Sequence, residues 1–400
     1  MNIYLDHASL TPVDKRVIKK MNAFMKGDFA NPSSLYKAGV AAKKALESAR
    51  ASVAQFFHAH ADEIVFTASG TEANNIAVIG VVEHLVSNGK SYKDIHIVVS
   101  AIEHASVLEA AHAFARKGVQ LDIIPVTEAG IIDMTVFKKS LRPTTALVSV
   151  MMVNNEIGTI QPIHDIVKAV RDFKKNNLAT SNAAADSQYP LVHTDACQAL
   201  LYMDINLEKM GVDMLTADAH KIYGPRGMGM LYVRRSAGKV VAPIMYGGGQ
   251  ENGLRPGTEN VAGCAGIAAA LEIIAKENSN KKETETARIV KLRDYVISQL
   301  VRKIPGLVVN GDLDSRIANN VNISIPGIDH EFLLLQLDAR GIACSTKSSC
   351  LRDEDESYVI RALRKDSQLT ANALRFSLGR STSKKGLDYL IKSIDECIHL

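Results

Sequence analysis

Lys221 stands in the run Ala219-His220-Lys221-Ile222-Tyr223-Gly224-Pro225-Arg226-Gly227, just past an apolar stretch that reads as a strand. Burial and neighbouring cations depress an amine's pKa and free it as nucleophile or base, which is what a Schiff base with a carbonyl requires. A solvated surface lysine is the simpler reading of the same residue. Asp195, in Val192-His193-Thr194-Asp195-Ala196-Cys197-Gln198, closes another apolar run. A carboxylate there must meet a cation, such as the protonated ring nitrogen of a bound cofactor, or else cap the next helix. Ser69-Gly70-Thr71-Glu72 follows Ile64 to Thr67 and opens a helix. Small and hydroxylated residues at that point offer backbone amides to an anion, or form an ordinary cap. His104 follows a strand ending at Ser100; its ring could stack on a flat aromatic group or be a hydrogen-bonded structural histidine.

Two further residues come from the last quarter of the chain. Arg375, in Leu374-Arg375-Phe376-Ser377-Leu378-Gly379, lies in an apolar strand pattern. A half-buried guanidinium asks for a carboxylate, supplied by a substrate or by an internal ion pair. Cys350 is embedded in polar residues from Ser345 to Glu354, which predicts an exposed, mobile loop where nearby cations favour the thiolate. Of the five cysteines, Cys264 and Cys397 have helix-like apolar settings and read as core, with core also the simpler reading of Cys197 and Cys344. The odd number and wide spacing argue for reduced thiols rather than a disulfide framework.

The elements that must position these residues alternate strand and helix. Val40 to Phe57 has helical apolar spacing. Ile95 to Ser100 reads as a strand followed by a helix from Ala105. Leu121 to Val126 and Ala146 to Val153 repeat the pattern, with a helix at Ile163 to Lys174. Short strands fit Leu191 to Thr194, Met214 to Ala217 and Met230 to Val233. Such alternation predicts an α/β fold with a mostly parallel sheet covered on both faces, whose ligands bind at the carboxyl ends of the strands. A small-residue helix spans Asn260 to Lys276, and the polar stretch Glu277 to Thr284 suits a domain joint. Ala179 to Gln188 reads as an inserted surface loop, and Leu387 to Ile398 as a last helix at which the chain stops.

With 400 residues, 46% hydrophobic and 22% charged, the chain is expected to form two globular domains. A net charge of +4 scattered along the sequence gives no argument for nucleic acid or a membrane surface. The longest apolar run, Val261 to Leu271, ends at Glu272, too short to span a bilayer, and the N-terminus has no basic region or apolar signal core, so a cytoplasmic protein is expected.

Together these segments resemble the cysteine desulfurases, class V aminotransferase-like members of the fold type I pyridoxal phosphate enzymes. The likeness runs through Tyr4 to Ser9, Asn31 to Ser34, Phe66 to Asn75, Glu103-His104, Val153 to Gly158, His193 to Gln198, Ala219 to Gly227, Gly247 to Glu251, Arg255 to Thr258, Gly341 to Cys350 and Arg375 to Arg380. It implies a large domain over 15–260 with a mostly parallel seven-stranded sheet flanked by helices. A smaller α+β domain, formed by 1–14 and 261–400, would carry the cysteine loop and the substrate-carboxylate arginine.

The resemblance also implies roles. Lys221 would carry pyridoxal 5′-phosphate, Asp195 pair with its ring nitrogen, and His104 stack on it and act as acid or base. Asn155 and Gln198 would lie near the phenolic oxygen, with Asn155 also touching substrate. Gly70, Thr71 and His220 would hold the phosphate, as would Thr258 donated across a homodimer with shared sites. Arg375 would bind the carboxylate of L-cysteine and Cys350 accept its sulfur, leaving alanine and a persulfide for an acceptor protein such as an iron–sulfur scaffold, or for tRNA thiolation. No metal is expected. The alternative on the same scaffold is a selenocysteine lyase or another class V lyase that needs no enzyme thiol. Asp218 stands where the family's usual Ser-x-His-Lys has serine, Lys347 where glycine is common, and Leu351 to Glu356 is shorter and more charged than the family's loop. A carboxylate beside a phosphate dianion is repulsive unless turned away, protonated or hydrogen-bonded to a donor.

Overall fold

Seven short runs of β-branched and apolar residues, most of them buried on both faces, form the central sheet of the computed structural model, which describes residues 2–27, 29–178, 188–279, 284–346, 356–364 and 373–399. In chain order the first elements are β1 (Ile3–Tyr4), α1 (Lys15–Lys26), α2 (Lys37–Phe56), β2 (Ile64–Thr67), α3 (Gly70–Ser87), β3 (His96–Ser100), α4 (Ala105–Ala115) and β4 (Gln120–Ile124). Next come α5 (Met134–Ser140), β5 (Thr145–Ser149), α6 (Ile163–Leu178), β6 (Leu191–Asp195), α7 (Leu207–Met210), β7 (Met214–Asp218) and β8 (Gly229–Val233). The remainder is α8 (Val261–Ser279), α9 (Glu285–Lys303), β9 (Val308–Val309), β10 (Asn320–Ser324), α10 (His330–Ala339), β11 (Ile342–Ala343), α11 (Tyr358–Leu363), β12 (Ala373–Ser377) and α12 (Lys384–Ile398).

The sheet order is β2-β8-β7-β6-β5-β3-β4, parallel from β7 through β4, with β8 antiparallel to both its neighbours. The two-residue period of a strand divides its side chains between two cores. Ile64, Phe66, Val98, Val148, Leu215, Met230 and Tyr232 face one core with α2, α6 and α8. Val65, Ile97, Val99, Leu147, Met214 and Leu231 face the other with α3 and α4. This is the α/β architecture that the strand–helix alternation predicts.

A second body packs α9, α10 and α12 over the antiparallel sheet β12-β10-β9, with the parallel pair β1-β11 beside it. α8 lies in the 261–400 stretch assigned to the smaller domain, yet its residues from Cys264 to Ile274 share the large core with α1 and α2. Its run of alanines lets those helices approach closely. The strand expected over Ala146 to Val153 ends at Ser149, although Val150 and Met152 still donate to carbonyls of His193 and Asp195 (3.1 and 2.8 Å). The inserted loop falls mostly outside the described residues. Among the described residues no helix is long and apolar enough to cross a membrane.

One buried ion pair ties the outer loops to the sheet. Arg50 of α2 makes a bidentate pair with Glu251 at 2.6 and 2.8 Å, and Glu251 also accepts the Phe66 amide of β2 at 2.8 Å. Removing one partner of such a pair leaves the other charge buried and uncompensated. Arg50→Ala is therefore expected to lower unfolding stability by about 3–5 kcal/mol in urea titrations, far more than removal of an exposed pair.

Candidate active site

The carboxyl ends of β6 and β7 and the loops after β2, β3 and β5 converge on a cavity of about 200 Å³. Lys221 follows β7 in a single 3₁₀ turn capped by Asp218. Its Nζ donates to the backbone carbonyls of Ala8 and Ser9, both at 2.7 Å. Burial lowers its pKa, and Arg375 adds to the effect, while Cys197, Asp218 and Asp6 oppose it. The ammonium is thus easier to deprotonate than a surface lysine, as a nucleophile or base requires.

Asp195 ends β6 with only 6% of its surface exposed. One carboxylate oxygen accepts the Cys197 amide at 2.9 Å, and the other accepts Asn74 Nδ2 at 2.7 Å. Asp195 therefore caps the following turn and also lines the cavity. Asn74 also donates to Ser106 Oγ at 2.8 Å, which contacts His104 Nδ1 at 2.7 Å. The Ser106 amide donates to the same nitrogen at 3.1 Å, so the neutral ring carries its proton on Nε2. Asn74 thus couples the carboxylate of one wall to the imidazole of another.

At the opposite corner Ser69 caps α3, accepting the Glu72 amide at 3.2 Å. Gly229 of β8 lies between Thr67 and Asp218, and a Cβ there would stand 2.5 Å from the Ser69 carbonyl carbon. A Cβ on Gly70 would stand 2.8 Å from Cys197 Sγ. Two glycines therefore let the start of α3 close against β7. Asp218 fills that corner: it accepts the Gly70 amide at 2.7 Å and the His220 amide at 3.1 Å, and pairs with His220 Nδ1.

Arg375 on β12 is 1% exposed. It donates to the Asn155 carbonyl at 2.9 Å and, through Nη2, to Asp6 Oδ1 and Ser9 Oγ, both at 2.8 Å. Its Nε has no hydrogen-bond partner among the described residues. The internal ion pair exists, and it aims the guanidinium along a cavity wall. Asn155 is held there by its neighbour: Asn154 Oδ1 accepts the amides of Glu156 and Ile157, and its Nδ2 donates to the Ile102 carbonyl, all at 2.9 Å. Gln198 donates to the Ala8 carbonyl at 2.9 Å.

Gly70, Thr71, His104, Asn155, Asp195, Gln198, His220, Lys221 and Arg375 thus line one cavity. Thr258 does not: it lines a separate cavity with Phe66, Glu251 and Arg255. Cys350 lies outside the described residues, although the flanks of its loop are tied to the cavity wall. Ser345 pairs with Arg375 through backbone bonds of 3.1 and 2.6 Å, Ser357 donates to Glu156 at 2.6 Å, and Tyr358 donates to the Glu103 carbonyl. Burial pushes the Cys344 thiol up to about 12 and the Cys197 thiol well above its ordinary value, so neither is a ready thiolate. Sequence reading gave no role to Ala8 and Ser9, whose contribution to Lys221 is backbone carbonyls. It also missed Asn74, which two adjacent asparagines on an apolar helix could have signalled.

The residues suit a pyridoxal-type aldehyde. A buried amine of lowered pKa and a fixed, buried carboxylate face the same cavity, with Thr71 and His220 also on its wall.

A family model described as aminotransferase class-V matches residues 3–390. A protein from Dictyoglomus turgidum named cysteine desulfurase IscS is 38% identical over 397 residues, covering 99% of this chain and 94% of its own length. A solved structure titled NifS-like protein superposes with a TM-score of 0.87 at 32% identity, covering all of both chains. Another, titled SspA in complex with cysteine, gives 0.78 at 28% identity, covering 94% of this chain and 99% of its own.

Glu103, beside His104, is completely buried, and burial, with Asp195 adding, pushes its carboxyl up to about 8 against hydrogen bonds from Ser100 and the Met151 amide. A carboxyl whose folded pKa lies above its unfolded value favours folding below the unfolded pKa and loses that contribution as pH rises through about 8. Glu103→Gln cannot ionise. Urea unfolding is expected to show similar stability for both proteins at pH 5, and a variant more stable by a few kcal/mol at pH 8.5.

Proposed function

The chain belongs to the aminotransferase class-V family, and from that premise we propose that it is a pyridoxal 5′-phosphate-dependent cysteine desulfurase, converting L-cysteine to L-alanine and passing the sulfur on as a persulfide. The observation that carries this reading is the meeting of Lys221, Asp195 and Arg375 in one cavity, in a chain whose curated relatives are named cysteine desulfurases. Lys221 would hold the cofactor aldehyde, Asp195 its ring nitrogen and His104 its ring face. Asn155 and Gln198 would lie at its phenolic oxygen, and Gly70, Thr71 and His220 at its phosphate.

When bound, the cofactor supplies an electron sink at the carbon bearing the substrate amine. Everything else falls to the chain's own residues. Arg375, oriented by Asp6 and Asn155, takes the substrate carboxylate. The Lys221 amine, released when substrate binds, removes the Cα proton. Cys350 Sγ, as thiolate, attacks the sulfur of L-cysteine: the S–S bond forms as the Cβ–S bond breaks, the pair left on Cβ is protonated to a methyl group, and the Lys221 ammonium returns a proton to Cα to give alanine. The sulfur stays on Cys350 as a persulfide until an acceptor thiol, such as that of an iron–sulfur scaffold protein, removes it. The tethers at Ser345, Ser357 and Tyr358 favour this geometry because they hold both flanks of the cysteine segment beside the cavity.

A homodimer completes the reading. Leu35 is 96% exposed and Tyr246 92%, with Phe29 and Tyr36 also open, and Gly247, next to Tyr246, packs against Pro256 of the loop that carries Thr258. Exposed large apolar residues of this kind suit a second copy of the chain. Thr258 of the partner subunit would then reach the phosphate.

Three variants test the scheme. Lys221→Ala is expected to lose the visible absorbance of bound cofactor and all alanine formation. Cys350→Ala is expected to keep the absorbance while sulfide release in dithiothreitol falls at least a hundredfold, whereas Cys344→Ala keeps both. Full turnover by Cys350→Ala would instead identify a lyase that needs no enzyme thiol.

A further inference from the structure

We infer that Asp218 is a built-in competitor of the cofactor phosphate, and that it makes this chain hold pyridoxal 5′-phosphate chiefly through Lys221 rather than through its anion corner. The inference rests on the cofactor assignment above and concerns how tightly, and by which end, the cofactor is held.

The groups that face the corner come from three elements. From the start of α3 come the Gly70 amide and Thr71, from the loop after β6 comes Cys197, and from the end of β7 and the turn after it come Asp218, His220 and Lys221. Asp218 is 4% exposed and already uses the strongest donors among them. Its Oδ2 takes the first amide of α3 at 2.7 Å, and its Oδ1 takes the His220 amide at 3.1 Å and pairs with Nδ1 of the same ring. An amide at a helix start and an imidazole are the donors an incoming phosphate would need. Here an anion that belongs to the protein is bound to them. A phosphate must either share them with a negative neighbour or displace that neighbour, and a carboxylate has no proton to offer in return. Thr71 and the second ring nitrogen of His220 are left to carry the contact.

The geometry also explains why the carboxylate stays in place. Asp218 heads the turn that presents Lys221, so turning its side chain away would surrender the cap on that turn. The corner is therefore preformed for one anion and occupied by it. The covalent anchor at Lys221 is untouched by this competition. A cofactor held mainly by that anchor exchanges readily, so the loaded fraction of the protein would follow the supply of free cofactor.

The test compares pyridoxal 5′-phosphate with pyridoxal, which lacks the phosphate, by visible-absorbance titration of the full-length chain freed of cofactor. The native protein is expected to bind the phosphorylated aldehyde less than about tenfold more tightly, a gap of about 1.4 kcal/mol. Asp218→Ser, which supplies a donor, should widen that ratio at least tenfold by tightening only the phosphorylated ligand. Asp218→Asn, which keeps the shape and the cap acceptor, should widen it in the same direction. An unchanged ratio in both variants would overturn the inference, as would a loss of affinity for both aldehydes alike, which marks a purely structural residue. Absence of visible binding by either aldehyde to any of the three proteins would overturn the cofactor assignment itself, and this inference with it.

Discussion

A charged amine taken out of water must find oxygen acceptors, and Lys221 finds them in the backbone carbonyls of Ala8 and Ser9. Much of the molecule is arranged around that requirement. The segment from Ile3 to Thr11 pairs with β11, bonds Ser377 of β12, and returns to the turn after β7 through Thr11. It therefore fastens the smaller body to the larger one at the point where the amine is buried. The same segment supplies Asp6 and Ser9 to Arg375 and a carbonyl to Gln198. One stretch of chain solvates the lysine, aims the arginine and closes the cavity.

The parallel sheet explains why the acidic groups are where they are. Strands that run in one direction end on one edge, and residues just past those ends meet even when far apart in sequence. Asp195 and Asp218 close neighbouring strands, and each resolves its burial differently. Asp195 accepts an amide and the Asn74 side chain, so its charge is held facing the cavity. Asp218 accepts amides from two turns and pairs with His220, so its charge is spent on the protein itself. Equal chemistry at adjacent strand ends thus produces one carboxylate open to the cavity and one taken up by the protein's own donors.

Burial sorts the thiols and the imidazoles in the same way. Cys197, Cys264 and Cys344 are pushed towards the neutral thiol by desolvation. His7 and His193 are pushed down to about 4, again by desolvation, and stay neutral near physiological pH. His104 sits at a helix start on the cavity wall, with Nδ1 committed to Ser106.

The sequence by itself determined the alternation of elements, the two-faced burial of the strands and the identity of most chemical groups. Those properties are local: a period of two or of 3.6, a cap, a charge closing an apolar run. It also marked Lys221, Asp195, His104 and Arg375 as groups in need of partners, without choosing between an internal partner and a ligand. Apart from the contact of His104 with Ser106 two residues on, only the tertiary structure made that choice, because the partners lie on distant parts of the chain: Ala8 for Lys221, Asn74 for Asp195, Asp6 for Arg375, and likewise Gly70 for Asp218. Two of these contacts involve backbone atoms, which every residue carries and no residue type announces. α8 illustrates the same limit in packing, since its small residues state that something comes close but not that α1 and α2 do. Which donors meet which acceptors is fixed by how the strand ends converge, and that convergence is a property of the folded sheet rather than of any window of sequence.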